Sequence, residues 1–261
     1  MADPFVLDPA ALFGLEGRVV IVTGASSGLG ARFARVLHAA GASVIVAARR
    51  VDRLDRLVGE LGDRTVAAAC DVRRDEDLVR LVDTAVGQLG GIDVLVNNAG
   101  VSGAGAAEDE APHRWQHVLD VNLTAPFRLS QLALPHLVAS GHGSVVNIAS
   151  MLGIVASAPV KQASYCAAKG AIVNLTRELA CQWARRGVRV NGIAPGWFPS
   201  EMTADEMLGD ERSLQYIERN CPMGRPGSEH ELDGALLYLA SDASSYCTGQ
   251  TLVVDGGWTA R

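Results

Sequence analysis

Arg18 to Thr23 is apolar without alternation and runs straight into T-G-A-S-S-G-L-G, after which Leu29 to Ala40 is helical in pattern and ends at Gly41. A strand with no polar face is one buried on both sides, as in a parallel sheet covered by helices. Strand, glycine-rich turn and helix in that order restrict the chain to a doubly wound α/β arrangement, and the helix N-terminus they create is a phosphate seat. Gly24 allows the sharp turn, Gly28 lets backbone approach a pyrophosphate, and Gly30 lets helix pack on strand. The spacing is G-x-x-x-G-x-G.

The alternation continues to the end. Strands are expected at Ser43 to Ala48, Thr65 to Ala69, Gly91 to Asn97, Val145 to Ile148, Val188 to Gly196 and Thr251 to Val254. Helices are expected at Val51 to Leu61, Asp77 to Leu89, Pro112 to Ser140, from the Tyr165 region to about Arg186, and Glu229 to Ser241. No internal repeat interrupts them, so a single doubly wound domain of about seven strands over residues 17–261 is expected, preceded by an arm at residues 1–16 that carries Pro4 and Pro9. With 261 residues, 48% of them hydrophobic, one large core is feasible.

Charge and cysteines exclude several classes. The net charge is -6 and no basic tract occurs, so a nucleic-acid partner is not expected. Five cysteines (70, 166, 181, 221, 247) show neither C-x-x-C nor zinc spacing, which fits reduced thiols in a cytosol. No apolar run is long enough for a bilayer, and the acidic N-terminus M-A-D-P-F-V-L-D-P is unlike a signal peptide; a soluble cytoplasmic protein is expected. His113 and His117 are spaced like metal ligands, but Arg114 lies between them and no third ligand is near, so no metal is expected.

The chemistry is expected in Ser150 to Lys169. Tyr165 and Lys169 are four apart, one helical turn, on the same face. Free tyrosine, with a pKa of about 10, is a poor base near neutrality. A nearby ammonium favours the phenolate, and each unit of lowering is worth about 1.4 kcal/mol. Ser150, just after a strand, can hydrogen-bond a substrate oxygen beside that phenol, giving a proton-transfer site for a carbonyl or alcohol. Asn122, polar within an apolar stripe, either bonds helix backbone or holds a water linking Lys169 to solvent.

The second strand should end at the adenosine ribose. An NAD-preferring site usually has a carboxylate there; here Ala48 is followed by Arg49 and Arg50. Arg49 can grip a 2'-phosphate, so NADP(H) is favoured over NAD(H), against the alternative that both arginines begin a solvated helix. Asp71 is expected to accept from an adenine amino group, with Asp75 capping the next helix. Residues 197–222, the longest insertion at a strand's C-terminal end, are expected to form a substrate lid, with Gly209 and Pro222 as breaks.

In ordered markers the chain resembles the short-chain dehydrogenase/reductases over about residues 15 to 258: T-G-A-S-S-G-L-G at 23, N-N-A-G at 97, Asn122, Ser150, Y-C-A-A-K at 165, P-G at 195 and G-Q-T-L-V-V-D-G-G at 249. The resemblance implies that Tyr165 is the acid/base, that Lys169 lowers its pKa and binds the nicotinamide ribose, that Ser150 polarises the substrate oxygen and that Asn122 holds a relay water. Cofactor contacts are expected from Gly24, Ser26, Ser27, Gly28, Leu29 and Gly30 in the turn. Further contacts are expected from Arg49, Asp71, Val72, Asn98, Ala99 and Gly100, and near the nicotinamide from Tyr165, Lys169, Pro195, Gly196 and Ser200. Substrate contacts are expected from Met151, Gln162, Trp197, Phe198 and Met202, although the large side chains among them can equally be lid core. Family members are commonly tetramers with the Tyr165 helix in an interface, which agrees with apolar residues on more than one face of that helix; a homotetramer is therefore implied.

Two departures stand out. Ser150 and Tyr165 are fifteen residues apart, wider than the family's usual spacing, which predicts a longer pocket loop at Ala156 to Gln162 and makes Ser157 and Ser164 rivals of Ser150. Ser27 stands where many NADP-dependent relatives carry a basic residue.

The leading expectation is an oxidoreductase for a small carbonyl/alcohol pair. Reduction of a 3-oxoacyl group on an acidic carrier protein would need a basic docking patch. Arg185 and Arg186 are candidates for it, but the lid carries Glu201, Asp205, Glu206, Asp210 and Glu211. A sugar-acid or polyol substrate fits as well, with Lys161 either a carboxylate partner or a solvated loop tip. A non-catalytic cofactor sensor or scaffold is the remaining class; such proteins typically lose the tyrosine or lysine, and both are present here.

Overall fold

The computed structural model describes residues 8–157, 160–204 and 211–261. Seven strands form one parallel sheet: β1 (Val19–Thr23), β2 (Ser43–Ala48), β3 (Thr65–Ala69), β4 (Val94–Asn97), β5 (Ser144–Ile148), β6 (Arg189–Pro195) and β7 (Thr251–Val254), in the order β3-β2-β1-β4-β5-β6-β7. β1 pairs with β2 on one side and β4 on the other, so the strand order reverses at β1/β4. A crevice opens at that point beyond the strands' C-terminal ends.

Side chains alternate across the pleat, and the two core clusters follow that alternation. Val20, Val22, Val44, Val46, Val94 and Val96 face α2 (Gly28–Ala39), α3 (Val51–Leu61) and α10 (Asp233–Ala240) through Phe33, Leu37, Leu54, Leu57, Leu236 and Leu239. Ile21, Ile45, Leu95, Val145 and Val190 face α4 (Asp75–Leu89), α6 (Ala125–Ser140) and α7 (Ala163–Trp183) through Leu78, Leu81, Leu129, Leu137, Leu179 and Trp183. Phe33 is wholly buried; its truncation to alanine costs about 3–5 kcal/mol on the usual scale.

The larger departures from the sequence reading each have a local reason. The arm contains a short helix, α1 (Pro9–Phe13), because the Asp8 carboxylate accepts from the Ala10 and Ala11 N–H groups and Pro9 suits the first turn; residues 1–7 of that arm lie outside the described residues. Asp75 is the first residue of α4 rather than its cap, and its carboxylate is held by Arg128. Strand β4 is shorter than expected, and Gly90, left-handed at φ 90°, ends α4 before it.

The long helix expected at Pro112–Ser140 is instead α5 (Pro112–Leu119), a π-helical turn (Asp120–Thr124) and α6. Pro126 lacks the N–H that would serve the Asn122 carbonyl in a regular helix, and the turn widens, the Ala125 N–H reaching back to Asp120. Helix α7 exposes Ala167, Asn174, Glu178 and Cys181 on one face, so it is less uniformly buried than its composition suggests.

After β6, α8 (Glu201–Ala204) and α9 (Glu211–Asn220) belong to the stretch read as a lid; Asp205, Glu206, Gly209 and Asp210 lie outside the described residues, as do positions 158–159 of the 156–162 loop. Among the described residues no helix is long and apolar enough to cross a membrane, no group of three His, Cys, Asp or Glu could hold a metal, and all five cysteines are free thiols.

Candidate active site

A cleft of about 410 Å³ runs along the C-terminal ends of the strands from the glycine-rich turn to Tyr165 and Lys169. At its phosphate end, Gly24 turns the chain at φ 68°, and a Cβ there would sit 2.8 Å from the Ala99 Cα. A Cβ on Gly30 would lie 2.3 Å from the Gly24 carbonyl oxygen, so only glycine lets α2 start this close to β1. The Ser27 side chain makes no capping bond to α2, leaving the first N–H groups of that helix without a side-chain acceptor. Thr23 and Asn98 stitch the floor: Thr23 Oγ1 accepts from the Asn98 and Ala99 N–H groups, and Asn98 Nδ2 donates to the Thr23 carbonyl at 2.8 Å. N-N-A-G is thus structural support around the cleft.

These are the features that a dinucleotide requires: an uncapped helix N-terminus, glycines at the points of closest approach, and a cleft long enough to reach from there to Tyr165 and Lys169. The residues present fit such a group.

At the far end, Ser150 follows β5 closely and lines the cleft; its Oγ accepts from the Leu152 N–H at 3.1 Å. The turn after it packs on α7, since a Cβ on Gly153 would come 2.5 Å from the Lys169 carbonyl oxygen. Lys169 is buried at 4% exposure, donates to the Ile148 carbonyl at 2.7 Å, and has Nζ 5.6 Å from the centre of the Tyr165 ring. Burial lowers its pKa to about 8 from 10.5, because desolvation penalises the ammonium. Beneath it, Asn97 Nδ2 donates to Asn147 Oδ1 (2.8 Å) and Asn147 Nδ2 to Thr176 Oγ1 (3.0 Å), tying β4, β5 and α7 together in the core. The rival serines point elsewhere: Ser157 Oγ donates to the Val160 carbonyl and Ser164 Oγ to the Glu110 carboxylate.

Asn122 sits in the π-helical turn. Its amide donates to the Val118 and Val101 carbonyls and its oxygen accepts from the Val101 N–H, which joins the loop after β4 to the helix. The backbone-bonding alternative therefore describes its side chain, and it is outside the cleft lining.

The ribose region is more occupied than the sequence suggests. Arg49 is exposed on the cleft rim. Arg50 donates to Ser26 Oγ, Ser27 Oγ (2.7 Å) and Glu201 Oε2 (2.8 Å), while Arg53 binds the other Glu201 oxygen. That environment holds the Glu201 carboxyl at about 2, the Arg53 hydrogen bond being the largest cause. The Asp71 carboxylate is gripped by Arg73, through Nε, Nη2 and the backbone N–H, and lies at a pKa of about 2 with that hydrogen bond as chief cause. An adenine amino group would share it with Arg73. Val72, Pro195, Gly196, Leu29 and Ser200 also line the cleft.

Of the expected substrate residues, Phe198 and Met202 line the cleft, whereas Met151, Gln162 and Trp197 do not. Met151 and Trp197 are buried with Leu152, Ile217, Cys221 and Trp258, and Trp197 meets Trp258 edge to face at 5.9 Å. Gln162 is buried where it bridges Gly105. The lid-core alternative therefore fits Met151 and Trp197. Sequence reasoning missed His117, Val101, Val121 and Thr203 in the lining; the helical spacing of His117 and Val121 was the available signal. Lys161 is exposed and paired with Glu108 at 3.5 Å, a solvated tip.

The sequence pattern of the family described as enoyl-(acyl carrier protein) reductase matches residues 24–259. Nodulation protein G of Rhizobium sp. (strain N33) is 39% identical over 94% of this chain and 98% of its own. The 2-dehydro-3-deoxy-D-gluconate 5-dehydrogenase of Escherichia coli (strain K12) is 38% identical over 95% and 98%. The crystal structure of a gluconate 5-dehydrogenase from Burkholderia cenocepacia J2315, in complex with NADP and tartrate, superposes with a TM-score of 0.91 at 34% identity, covering 97% of this chain and 100% of that one. The chain belongs to the short-chain dehydrogenase/reductase family. It is an oxidoreductase that acts on CH–OH and C=O groups.

Proposed function

We propose an NADP(H)-preferring oxidoreductase of small carbonyl/alcohol pairs, with polyhydroxy acids and polyols as the first substrate class to test. One observation carries the reading: Ser150, Tyr165 and Lys169 share one wall of a cleft whose other end is an uncapped helix N-terminus flanked by Arg49 and Arg50.

When bound, the nicotinamide supplies or accepts the hydride. Tyr165 hands its phenolic proton to the carbonyl oxygen in reduction and recovers it in oxidation. Lys169 stabilises the resulting phenolate and binds the nicotinamide ribose. Ser150 donates to the substrate oxygen, fixing it against Tyr165. Asn122 acts through its backbone rather than its side chain: its carbonyl, which Pro126 cannot serve, holds the water that returns the proton to solvent. The described part of the stretch after β6 serves as the lid, Phe198 and Met202 giving the substrate an apolar wall.

The names of the relatives support sugar acids as substrates. An acidic carrier protein is less favoured, because Arg185 and Arg186 lie just past the far end of α7, about 30 Å from Tyr165 at about 1.5 Å per residue, and outside the cleft lining. A homotetramer is what the family resemblance implies, and the free thiols suit a reducing cytosol.

The test is fluorescence titration with NADPH and NADH in wild type and Arg49→Ala, followed by turnover on gluconate and 5-ketogluconate. Much tighter NADPH binding that collapses in Arg49→Ala supports the reading. Equal or tighter NADH binding sinks the NADP(H) preference and moves the screen to alcohol oxidation with NAD.

A further inference from the structure

Two guanidiniums and a hydroxyl converge on one carboxylate at the mouth of the cleft. Glu201 Oε2 accepts from Ser27 Oγ at 3.0 Å and from Arg50 Nη1 at 2.8 Å, and Oε1 accepts from Arg53. Arg50 is braced by both serines of the glycine-rich turn, Ser26 and Ser27. This donor set lies between the end of β2, the start of α3 and the start of α2, where the adenosine ribose of a dinucleotide is expected. Carboxylate and phosphate oxygens select the same charge-assisted donors, guanidinium above all.

We propose that Glu201 is a specificity-determining residue: a built-in anion seated where a cofactor 2'-phosphate would bind, which NADP(H) must displace and NAD(H) need not. The proposal deepens the NADP(H) reading above and rests on it. A 2'-phosphate entering the site claims Arg50 and Ser27, and Glu201, left beside a dianion with only Arg53, is expelled. A 2'-hydroxyl makes no such claim, so Glu201 stays bonded. The side chain is half exposed, so its release into water is not hindered.

Ser200 precedes Glu201 and lies against the glycine turn, 3.3 Å from where a Gly28 Cβ would be. Ser200 and Thr203 hold the start of α8 by reciprocal bonds, and Met202, between them, lines the cleft. The displaced carboxylate is thus the immediate neighbour of a cleft-lining residue.

The experiment uses ligands with and without the 2'-phosphate: NADPH against NADH, and adenosine 2',5'-bisphosphate against ADP as probes lacking the nicotinamide. Each is titrated calorimetrically into wild type, Glu201→Gln and Glu201→Ala. Both variants should bind the 2'-phosphate ligands about three- to tenfold tighter, the size set by exposed ion pairs, and the other ligands unchanged. The gain should shrink at high salt. Equal gains for both ligand sets, or none for either, overturn the proposal. Wild type that prefers the 2'-phosphate while the variants show no further gain overturns this inference alone and leaves the NADP(H) reading standing. Wild type and variants that all bind the bisphosphate no better than ADP overturn both.

Discussion

Gly153 lies so close to Lys169 that a Cβ on the glycine would stand 2.5 Å from the lysine carbonyl oxygen. The turn that carries Ser150 is thereby fixed on the helix that carries Tyr165. Gly153→Ala must push the two apart, because backbone on both sides of the contact has nowhere to yield. Turnover should fall at least about tenfold, as misplacement of around an ångström can cost a hundredfold. Cofactor affinity should be unchanged. Steady-state kinetics beside a cofactor titration separates the two effects; equal turnover would show that Ser150 needs no such register.

Tyr165→Phe removes the phenol proposed as proton donor and keeps the ring beside Lys169. Turnover should drop by about 10²–10⁴, with cofactor binding retained. Retained turnover would place the acid/base elsewhere.

Lys169 links function to stability. A lysine whose pKa is lower folded than unfolded destabilises the protein below the folded value, and the penalty is relieved as pH rises from about 8 towards 10.5, because there the unfolded chain binds more protons. Below pH 8 the penalty is of order 3 kcal/mol. Lys169→Met should therefore be inactive, yet it should unfold at a higher temperature than wild type at pH 7, by a margin that narrows at pH 9.5. Urea unfolding at both pH values checks the sign; a variant less stable at pH 7 would mean that the bond to Ile148 outweighs the desolvation.

Asn147 links β5 to α7 inside the core. Asn147→Ala leaves the Asn97 amide and the Thr176 hydroxyl with fewer partners in a dry environment, and should cost about 2–4 kcal/mol. Denaturant midpoints report it directly. A change below about 1 kcal/mol would mean that water enters the gap.

The sheet was legible because its strands are apolar throughout and its turns carry glycine: β2, β3 and β7 begin and end where the sequence pattern places them. Helix interruptions were not legible from periodicity. The π-helical turn depends on Pro126 lacking a donor; the proline is visible in the sequence, but the apolar stripe at Val118, Leu119 and Leu123 runs up to it unbroken, so periodicity alone hides the interruption. Ser150, Tyr165 and Lys169 share one cleft, since a motif fixes both type and spacing, whereas Asn122 lies outside its lining. Long-range partners had no local mark. Glu201 meets Arg50 across 151 positions of chain, and nothing in the pattern around Asp71 marks Arg73, two residues on, as the partner of its carboxylate. Met151 and Trp197 were ambiguous for a physical reason, because a lid's inner surface and a substrate pocket demand the same apolar side chains.

The edge-to-face contact of Trp197 with Trp258 turns this protein into its own optical probe. Reduced nicotinamides absorb where indoles emit, so two of the four tryptophans, packed under the stretch that borders the cleft, can pass excitation energy to a bound reduced cofactor and not to an oxidised one. Trp115 and Trp183 sit apart from that cluster, one exposed and one in the core. Replacing those two with phenylalanine would leave a signal that reports redox state inside the cleft, turnover by turnover, without any label.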